Sequence, residues 1–464
     1  MQHFDVIVIG GGPAGSTCAS FMADKGMKVL LLEKEKFPRE HIGESLIPSS
    51  YDVLKKLGVI DELKKISPRK PGVNFISNDG KSQSLWCFKS IIHNESYLSF
   101  HVKRSMFDQM LLNKTKSKGA TVLEEHQVKN VELDRPDGEV EVKVLTKSGE
   151  NKTFTAKFLV DASGQNTFLG TKMGVKKSFS GLDRVALWSH WTGANFDVPL
   201  QQGAIKIVYL TGKEKLGWFW VIPISKDNLS VGAVINNGFM KTEKARFADT
   251  PDWKEAIYLN EIEESECMRV MLKGAKMDHK VQVNGDYSYF CEQKYGSNYA
   301  MVGDAGAFLD PIFSSGIFVG MHSAEMLADA LHEKLFNNNP AALDEVYKKI
   351  NGAVMLLEKF IKLFYTPENI NFAEMGDPTK EINQKDREAM YSIFHYLLAG
   401  DFFTHYQKYS EFLDTVQNPK MLSRFQHLIR HEKFYNHGAS CGEIPSEMYD
   451  EMTEEIEFDL SAFS

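Results

Sequence analysis

The sequence predicts a protein of the α/β class, and three patterns along the chain support this. An apolar run from Phe4 leads directly into a glycine-rich loop at Gly10, which is typical of a Rossmann-type domain. Short runs that alternate polar and apolar residues lie between about Gly174 and Ser288 and predict antiparallel strands. Helical periodicity dominates from Asn339 onwards. We therefore expect a discontinuous nucleotide-binding domain over 1–173 and 289–338, a β-sheet substrate domain over 174–288 and a C-terminal helical region over 339–464.

Composition narrows the classes of function. The chain has 464 residues, of which 43% are hydrophobic and 25% charged, so it is long enough for two or three cored domains. Its formal net charge of −8 disfavours a nucleic-acid groove or an anionic membrane surface. The first strand follows no signal-peptide pattern, and no stretch reaches the roughly 18 uninterrupted apolar residues of a membrane span. We expect a cytoplasmic protein that binds neither nucleic acid nor membrane.

The cysteines follow no recognisable pattern. Their number is odd and no pair has C-x-x-C spacing, so we expect reduced thiols and no zinc or other metal site. They are Cys18, Cys87, Cys267, Cys291 and Cys441.

The glycine-rich loop satisfies G-x-G-x-x-G, and each residue has a physical role. Gly10 permits the tight turn, Gly12 lets the backbone approach a pyrophosphate, and Gly15 lets the next helix lie close to the sheet. Pro13 and Ala14 begin that helix, whose N-terminal amides face the phosphates. The loop therefore predicts a bound dinucleotide.

An acidic residue completes the nucleotide site. A second strand, Lys28 to Leu32, ends in Glu33, which lies 18 residues beyond Gly15 and near the expected offset for a ribose-binding carboxylate. Lys34 follows it and is expected to contact the same cofactor. No second G-x-G-x-x-G follows a strand, so a nicotinamide site is not expected, but the loop itself does not separate NAD from FAD.

Three later segments favour FAD by resemblance. The V-x-R-x-x-F-D segment at Arg104 and Asp108, the D-A-S-G segment at Asp161 and the G-D-A segment at Gly303 and Asp304 occur in this order. They resemble the corresponding motifs of para-hydroxybenzoate hydroxylase and related FAD monooxygenase-type folds. The resemblance implies that Arg104 contacts the cofactor and that Asp304 binds its ribityl chain. Asp108 is equally interpretable as a first-turn acid favoured by the helix dipole.

A second set of motifs resembles the flavin-dependent halogenases. Trp218, Trp220 and Ile222 form W-x-W-x-I-P on a predicted strand, so their side chains share one face, and Pro223 ends the strand. An aromatic strand face is ordinarily core packing. Beside the FAD motifs, however, the resemblance implies a segment next to the flavin that keeps organic substrates away from it.

Two further segments carry the same resemblance. Gly43, Glu44 and Ser45 resemble the family's G-E-S loop, placed near the flavin ring, although Glu44 or Ser45 could instead cap the next helix. Lys70 lies in a K-x-G pattern that matches the family's active-site lysine, although a lysine before Pro-Gly is ordinarily a solvated turn residue.

The resemblance also implies a chemical role for Lys70. In the family, reduced FAD and oxygen oxidise chloride to hypochlorous acid, which must be captured and directed. A protonated lysine donates a hydrogen bond to this oxidant, whereas a neutral lysine is chlorinated to a chloramine. Partial burial shifts lysine towards the neutral form. Both routes remain open from the sequence.

A loop at a helix N-terminus predicts a halide site. The amides of Ser315 and Gly316 precede a helix whose dipole favours chloride or bromide, although a plain N-cap loop is the competing interpretation. Gly316 and Ile317 are also expected to contact the flavin. Tryptophan halogenases have Glu where this chain has Phe313, which we expect in the substrate pocket. Phe resembles the pyrrole and phenol halogenases, many of whose substrates are tethered to a carrier protein.

Together these features predict an FAD-dependent halogenase that uses reduced flavin, oxygen and chloride or bromide on an electron-rich phenol or pyrrole. The resemblance implies a separate flavin reductase and an acyl or peptidyl carrier protein as partners. An FAD monooxygenase or a polyprenyl reductase of the same fold is the first alternative. An inactive flavin-binding redox sensor is the non-enzymatic alternative.

Overall fold

The structure is a computed structural model that describes residues 2–194, 203–212, 216–285, 288–367, 370–375, 384–416, 419–428 and 441. The strands, numbered in chain order, are β1 (Gln2–Ile9), β2 (Val29–Leu32), β3 (Arg69–Lys70), β4 (Gly72–Ile76), β5 (Gln83–Cys87), β6 (Ser99–Phe100), β7 (Thr121–Leu123), β8 (His126–Glu132), β9 (Val140–Thr146), β10 (Asn151–Asp161), β11 (Lys176–Ser178), β12 (Arg184–Thr192), β13 (Ile205–Thr211), β14 (Leu216–Pro223), β15 (Asn228–Asn236), β16 (Lys276–Met277), β17 (Gln282–Asn284), β18 (Tyr289–Cys291), β19 (Tyr299–Met301) and β20 (Ala307–Phe308).

The helices are α1 (Pro13–Asp24), α2 (Ser50–Leu57), α3 (Ile60–Ile66), α4 (Arg104–Ser117), α5 (Phe168–Met173), α6 (Asn237–Arg246), α7 (Trp253–Glu264), α8 (Glu266–Met271), α9 (Gly316–Phe336), α10 (Ala341–Phe364), α11 (Gln384–Ala399) and α12 (Tyr406–Thr415). None of the described helices combines the length and the apolar character that a transmembrane segment requires.

The first sheet holds the Rossmann-type core that the sequence predicts. Its strands run in the order β7-β2-β1-β10-β9-β8, and β19 also pairs with β10. The pairs β1–β2, β1–β10 and β2–β7 are parallel, and helices α1, α9 and α10 cover one face. The β8–β9 hairpin and α5 cover the other face. Burial on both faces explains why β1 and β2 read as nearly continuous apolar runs.

The glycine-rich loop joins β1 to α1 as expected. Gly10 has φ +101°, a left-handed conformation that side chains disfavour. A side chain at Gly15 would collide with the carbonyl of Gly10, so the helix packs directly onto the strand end. The carboxyl ends of β1, β2 and β10 therefore meet the N-terminus of α1 at one edge of the sheet.

The second sheet contains the W-x-W-x-I-P strand. Its strands run in the order β16-β12-β15-β14-β13-β4-β5, and β17 also pairs with β12. The predicted strands around residues 204–210, 218–224 and 229–235 are present, paired antiparallel. However, the sheet also takes β4 and β5 from the N-terminal part of the chain, and β4 pairs parallel with β13. These long-range pairings have no signature in the local sequence, and the predicted domain boundaries stay a prediction.

The two faces of the second sheet pack against different helices. Trp218, Trp220 and Ile222 face the C-terminal helices, together with Phe75 and Ile207. Alternate residues of the same strands pack against α6, α7 and α8. The sequence predicted no helices between residues 237 and 271, where α6, α7 and α8 lie. Much of each helix faces solvent, so its apolar stripe is narrow and gives a weak helical pattern.

The described part of the C-terminal region is largely helical, as the periodicity predicts. Helices α10, α11 and α12 include the predicted segments around residues 353–364, 389–398 and 406–416. Their aromatic side chains form a continuous cluster with the second sheet, in which Phe360 lies 5.7 Å from Phe394 and Phe75 lies 5.0 Å from Phe372, measured between ring centroids. This cluster joins the C-terminal region to the sheet that carries Trp218.

The cysteine prediction was wrong for one pair. Cys87, at the end of β5, forms a disulfide with Cys441, and their Cα atoms are 5.3 Å apart. The two residues are separated by 354 positions, so no local spacing reveals the pairing. Cys18, Cys267 and Cys291 are free and buried.

This arrangement predicts the outcome of thiol labelling. Alkylation of the denatured, unreduced protein should modify three cysteines, because only Cys18, Cys267 and Cys291 carry free thiols. Labelling after reduction should modify the five cysteines of the sequence. Mass spectrometry of the intact protein measures both numbers, and a Cys87→Ser, Cys441→Ser double variant is the control. Five modified cysteines without reduction would contradict the disulfide.

Candidate active site

A cavity of ≈ 540 Å³ runs from the glycine-rich loop to the second sheet. Its wall combines residues from both sheets and from the N-terminus of α9. The predicted site residues in this wall are Gly10, Gly12, Pro13, Ala14, Glu33, Lys34, Gly43, Glu44, Ser45, Arg104, Trp218, Trp220, Gly303, Asp304, Gly316 and Ile317. The sequence motifs thus converge on one cavity.

The other predicted site residues lie behind this wall. They are Gly15, Lys70, Asp161, Phe313 and Ser315. Asp161 is fully buried and accepts hydrogen bonds from the backbone amides of Ser163 and Leu169, at 2.9 and 2.7 Å. Its observed contacts therefore stabilise the turn after β10.

Glu33 organises the nucleotide end of the cavity. One carboxylate oxygen accepts the amide of Gly11 at 2.6 Å and the other accepts the amide of Glu35 at 2.8 Å. Each oxygen retains a second acceptor position. Glu33 thus holds the glycine-rich loop in place and presents a carboxylate at the end of β2.

Arg104 is anchored by a carboxylate one helical turn away. Its guanidinium donates two hydrogen bonds to Asp108, both at 2.8 Å, and one to the carbonyl of Ile42. Asp108 is fully buried, so its observed role is to hold Arg104 rather than to serve as an exposed first-turn acid. Burial, together with the charge of Arg104, lowers the pKa of nearby His41 to about 4.

The G-D-A segment brings a buried carboxyl to the cavity. Asp304 lies in a 3₁₀ turn, Gly303–Ala305, after β19. Burial raises the pKa of its carboxyl to about 6, although the charge of Arg104 opposes this. Gly303 has φ +63° and lies against Ala14 of α1, so a side chain there would meet α1.

The two tryptophans are held by hydrogen bonds that the motif itself does not reveal. Trp218 Nε1 donates to Tyr365 Oη at 2.9 Å, and Tyr365 donates to Asp310 Oδ2 at 2.7 Å. Trp220 Nε1 donates to Ser230 Oγ at 3.0 Å on the neighbouring strand. Burial raises the pKa of Asp310 to about 6. Sequence analysis missed Tyr365, because a single tyrosine at the C-terminal end of α10 belongs to no motif.

Lys70 is fully buried behind the cavity wall. It lies on β3, which pairs with β6, and its Nζ donates to Ser314 Oγ at 3.4 Å. Ser314 itself lines the cavity, so one hydroxyl separates the amine from it. Burial lowers the pKa of Lys70 to about 7. The alternative of a solvated turn lysine is excluded by this burial.

The predicted halide loop adjoins Lys70. Ser314 has φ +53°, a left-handed conformation that is uncommon for serine, and it turns the chain into Ser315 and Gly316. Ser315 is the N-cap of α9 and its side chain makes no capping hydrogen bond. The first amides of a helix lack intrahelical acceptors, so this end of the 21-residue α9 is suited to an anion.

Phe313 belongs to the aromatic cluster. Its ring stacks on Phe360 with centroids 3.9 Å apart and meets Phe364 edge-on at 6.2 Å. It therefore connects the halide loop to α10.

The G-E-S loop makes a contact that the sequence did not indicate. Glu44 Oε1 lies 2.8 Å from His190 Nε2 on β12. The cap alternative is wrong for both residues, since α2 begins after Ser49 with no side-chain cap. Ser45 Oγ is buried with no hydrogen-bond partner among the described residues.

The cavity fits an FAD molecule. Its wall begins at Glu33 and the glycine-rich loop, where a nucleotide and pyrophosphate would bind, and ends at the tryptophans. Gly43 has φ +101°, and a side chain there would press on Arg104. The buried, unpaired oxygens of Glu44 and Ser45 lie in the same wall, and cofactor polar groups are the partners such atoms require. Among the described residues, no three metal-ligating side chains of His, Cys, Asp or Glu lie together.

Comparisons with known proteins agree with this geometry. Residues 3–355 match the family model described as an FAD binding domain. The chain is 31% identical over 403 residues to the 1H-pyrrole-2-carbonyl-(peptidyl-carrier protein) chlorinase of Pseudomonas fluorescens, covering 81% of this chain and 87% of that protein. It is 34% identical over 326 residues to tryptophan 2-halogenase of Chondromyces crocatus, covering 70% of this chain and 60% of that protein.

A solved structure shows the same architecture. The flavin-dependent brominase Bmp2 superposes with a TM-score of 0.74 at 29% identity, covering 92% of this chain and 98% of that chain. The prediction of an FAD-dependent halogenase is therefore confirmed, and the chain belongs to the flavin-dependent halogenase family.

Proposed function

We propose that this halogenase acts on an electron-rich phenol or pyrrole, with Lys70 as the residue that receives the halogenating species. The observation that carries the proposal is the buried Lys70 amine, 3.4 Å from the Ser314 hydroxyl in the cavity wall. Bound FAD supplies the oxygen chemistry that oxidises halide. Ser314 then marks the point at which hypohalous acid leaves the flavin side for Lys70.

Lys70 suits this role because the pKa of its amine lies close to neutral pH. Burial lowers its pKa to about 7, so protonated and neutral forms are both populated at neutral pH. The protonated form donates a hydrogen bond to hypohalous acid, and the neutral form is halogenated on nitrogen. Either form keeps the oxidant at one position beside the aromatic cluster.

Trp218 and Trp220 act as a barrier in this proposal. Both rings are buried, lie 5.9 Å apart between centroids and line the cavity. Their hydrogen bonds to Tyr365 and Ser230 fix the ring orientations. A fixed aromatic wall excludes an organic substrate from the flavin but leaves the path through Ser314 for a small oxidant.

The amides of Ser315 and Gly316 are proposed to hold the halide. They lie at the N-terminus of α9, directly after the hydroxyl that contacts Lys70. This position places the anion between the flavin wall and the lysine. Chloride and bromide both fit such an amide site.

The substrate proposal rests on Phe313. An acidic residue at this position would assist the attack on a poorly activated ring, whereas Phe313 is packed in an aromatic cluster with Phe360 and Phe364. An activated phenol or pyrrole needs no second polar group, and free tryptophan is disfavoured. The similar chlorinase acts on a pyrrole attached to a peptidyl carrier protein, so we include a carrier-bound substrate and a separate flavin reductase as partners.

Lys70→Met should lower the halogenation rate at least about 100-fold, while FAD binding and flavin reoxidation stay near the wild-type level. In this proposal Lys70 acts after halide oxidation, and it is not part of the cavity wall but hydrogen-bonds to Ser314, which is. Product formation by chromatography and flavin reoxidation by absorbance measure the two steps separately.

Lys206→Met is the matched control. Lys206 is also buried, and burial lowers its pKa to about 8, but it lies on the opposite face of the second sheet. This variant should keep halogenating activity. Activity retained in Lys70→Met would remove Lys70 from the mechanism, and equal losses in both variants would indicate a structural effect.

A comparison of substrates tests the proposed role of Phe313. Free phenols or pyrrolyl and phenolic thioesters on a carrier protein should be halogenated, and free tryptophan should not. The assay supplies a flavin reductase, oxygen and chloride or bromide with each substrate. Rapid halogenation of tryptophan alone would contradict the substrate proposal and leave the family assignment intact.

The titration of Lys70 predicts a pH-dependent stability difference. Its pKa is 10.5 when unfolded and about 7 in the fold, so the unfolded chain binds more protons between these values. Wild-type stability relative to Lys70→Met should therefore rise as pH increases from 7 to 10, by at most roughly 4 kcal/mol. Urea unfolding of both proteins at the two pH values measures the change, and a constant difference would show that Lys70 titrates normally.

A further inference from the structure

Glu44 carries an unpaired acceptor into the flavin cavity. Its side chain is only 1% exposed, and Oε1 lies 2.8 Å from His190 Nε2. Its second oxygen, Oε2, is buried and has no hydrogen-bond partner among the described residues. A buried carboxylate oxygen without a donor is costly, so a cavity ligand or a proton is expected there.

His190 connects this carboxylate to the outside of the cavity. It lies on β12, on the sheet face that also carries Trp188, and 10% of its side chain is exposed to solvent. The described cavity wall includes Glu44 but not His190. The imidazole thus bonds the cavity carboxylate through one nitrogen, and a small part of the side chain is exposed to solvent.

Neighbouring rings hold the imidazole in this position. Its centroid lies 5.5 Å from the ring of Trp188 and 4.9 Å from the ring of His279. The backbone amide of His190 also donates to His279 Nε2 at 3.3 Å. Because ring and backbone are both fixed, Nε2 remains directed at Glu44.

The halogenation reaction creates a need for such a pair. Each turnover consumes one aromatic C–H group, one halide ion, one O₂ and the two hydrogens of reduced flavin. The products are one carbon–halogen bond, oxidised flavin and two waters. Atoms and charge balance only if one further proton is taken up. That proton must reach the end of the cavity that Trp218 and Trp220 line. A buried site that consumes protons needs a side chain that reaches both solvent and cavity.

We propose that His190 and Glu44 form the proton relay that supplies this cavity. His190 takes a proton from solvent at Nδ1 and its Nε2–H proton passes to Glu44 Oε1, so one N–H bond breaks as one O–H bond forms. The carboxyl then yields its proton to the cavity and returns to the carboxylate. This inference rests on the proposed function and adds His190, which lies outside the cavity wall, as a positioning and proton-carrying residue.

The charges around the pair favour a protonated imidazole. Burial lowers the pKa of His190, but the hydrogen bond and charge of Glu44, with the charge of Glu40, outweigh this and raise the pKa above its ordinary value. Lys103 opposes the rise. Arg104 interacts electrostatically with Glu44, and the His279 ring packs against His190.

His190→Gln in the FAD-loaded protein tests the relay. Glutamine still hydrogen-bonds Glu44 but carries no proton, so halogenation should fall at least about tenfold, with a larger loss at higher pH. Added imidazole should restore part of the rate. FAD affinity, measured by flavin fluorescence, should change less than about twofold, because His190 is not part of the cavity wall.

A second measurement requires no turnover. The pKa of His190, followed by NMR of the imidazole in wild type, should lie above the ordinary value and fall in Glu44→Gln. His332→Gln is the control for loss of a histidine elsewhere in the protein, because the His332 ring stacks on Phe336 within α9; it should keep halogenation within about twofold.

These outcomes separate the two proposals. A wild-type protein that halogenates no substrate would overturn the proposed function, while the NMR result would still report on the Glu44–His190 pair. Unchanged halogenation in His190→Gln, or a loss that is independent of pH and not rescued by imidazole, would overturn the relay.

Discussion

The hydrogen-bond chain from Trp218 through Tyr365 to Asp310 is the interaction on which the site depends. Its members come from the second sheet, from the C-terminal end of α10, and from the segment that precedes the predicted halide loop. Each member is buried, so loss of one removes a hydrogen-bond partner from its neighbour in the chain. The chain thus aligns the aromatic wall, the C-terminal helices and the approach to Lys70 with one another. The guanidinium of Arg184 packs over the ring of Tyr365, the central member of this chain, at 4.2 Å from the ring centroid.

Two buried lysines show how context decides chemistry. Lys70 and Lys206 both lose hydration on folding, and both titrate below the usual range. Only Lys70 contacts a hydroxyl that also faces the cavity. Burial therefore lowers the pKa of each amine, while the surrounding strands determine which one lies beside the cavity. Residue type and burial alone do not identify a functional lysine.

Local motifs predicted much of this site because a short segment determines its own geometry. The glycine-rich loop, the G-D-A turn and the W-x-W-x-I-P strand each encode a backbone conformation, and all three reach the cavity. Contacts between distant segments were missed for the opposite reason. Neither the Glu44–His190 pair, nor the Cys87–Cys441 disulfide, nor the parallel β4–β13 pairing follows from spacing along the chain. Phe313 was predicted in a substrate pocket, and its observed neighbours are aromatic rings.

The position of Tyr365 bears on how such enzymes diversify. The segment that matches the FAD binding domain ends at residue 355, yet the hydroxyl that orients Trp218 lies beyond it. An exchange of C-terminal helices between relatives would therefore alter the orientation of Trp218 as well as the aromatic cluster that packs on the second sheet. Chimeras that retain a tyrosine at this position, and an acceptor equivalent to Asp310, would preserve the orientation of Trp218 while the other C-terminal side chains change. Inheritance of the FAD-binding segment and of the C-terminal helices is thus coupled through the hydroxyl group of Tyr365.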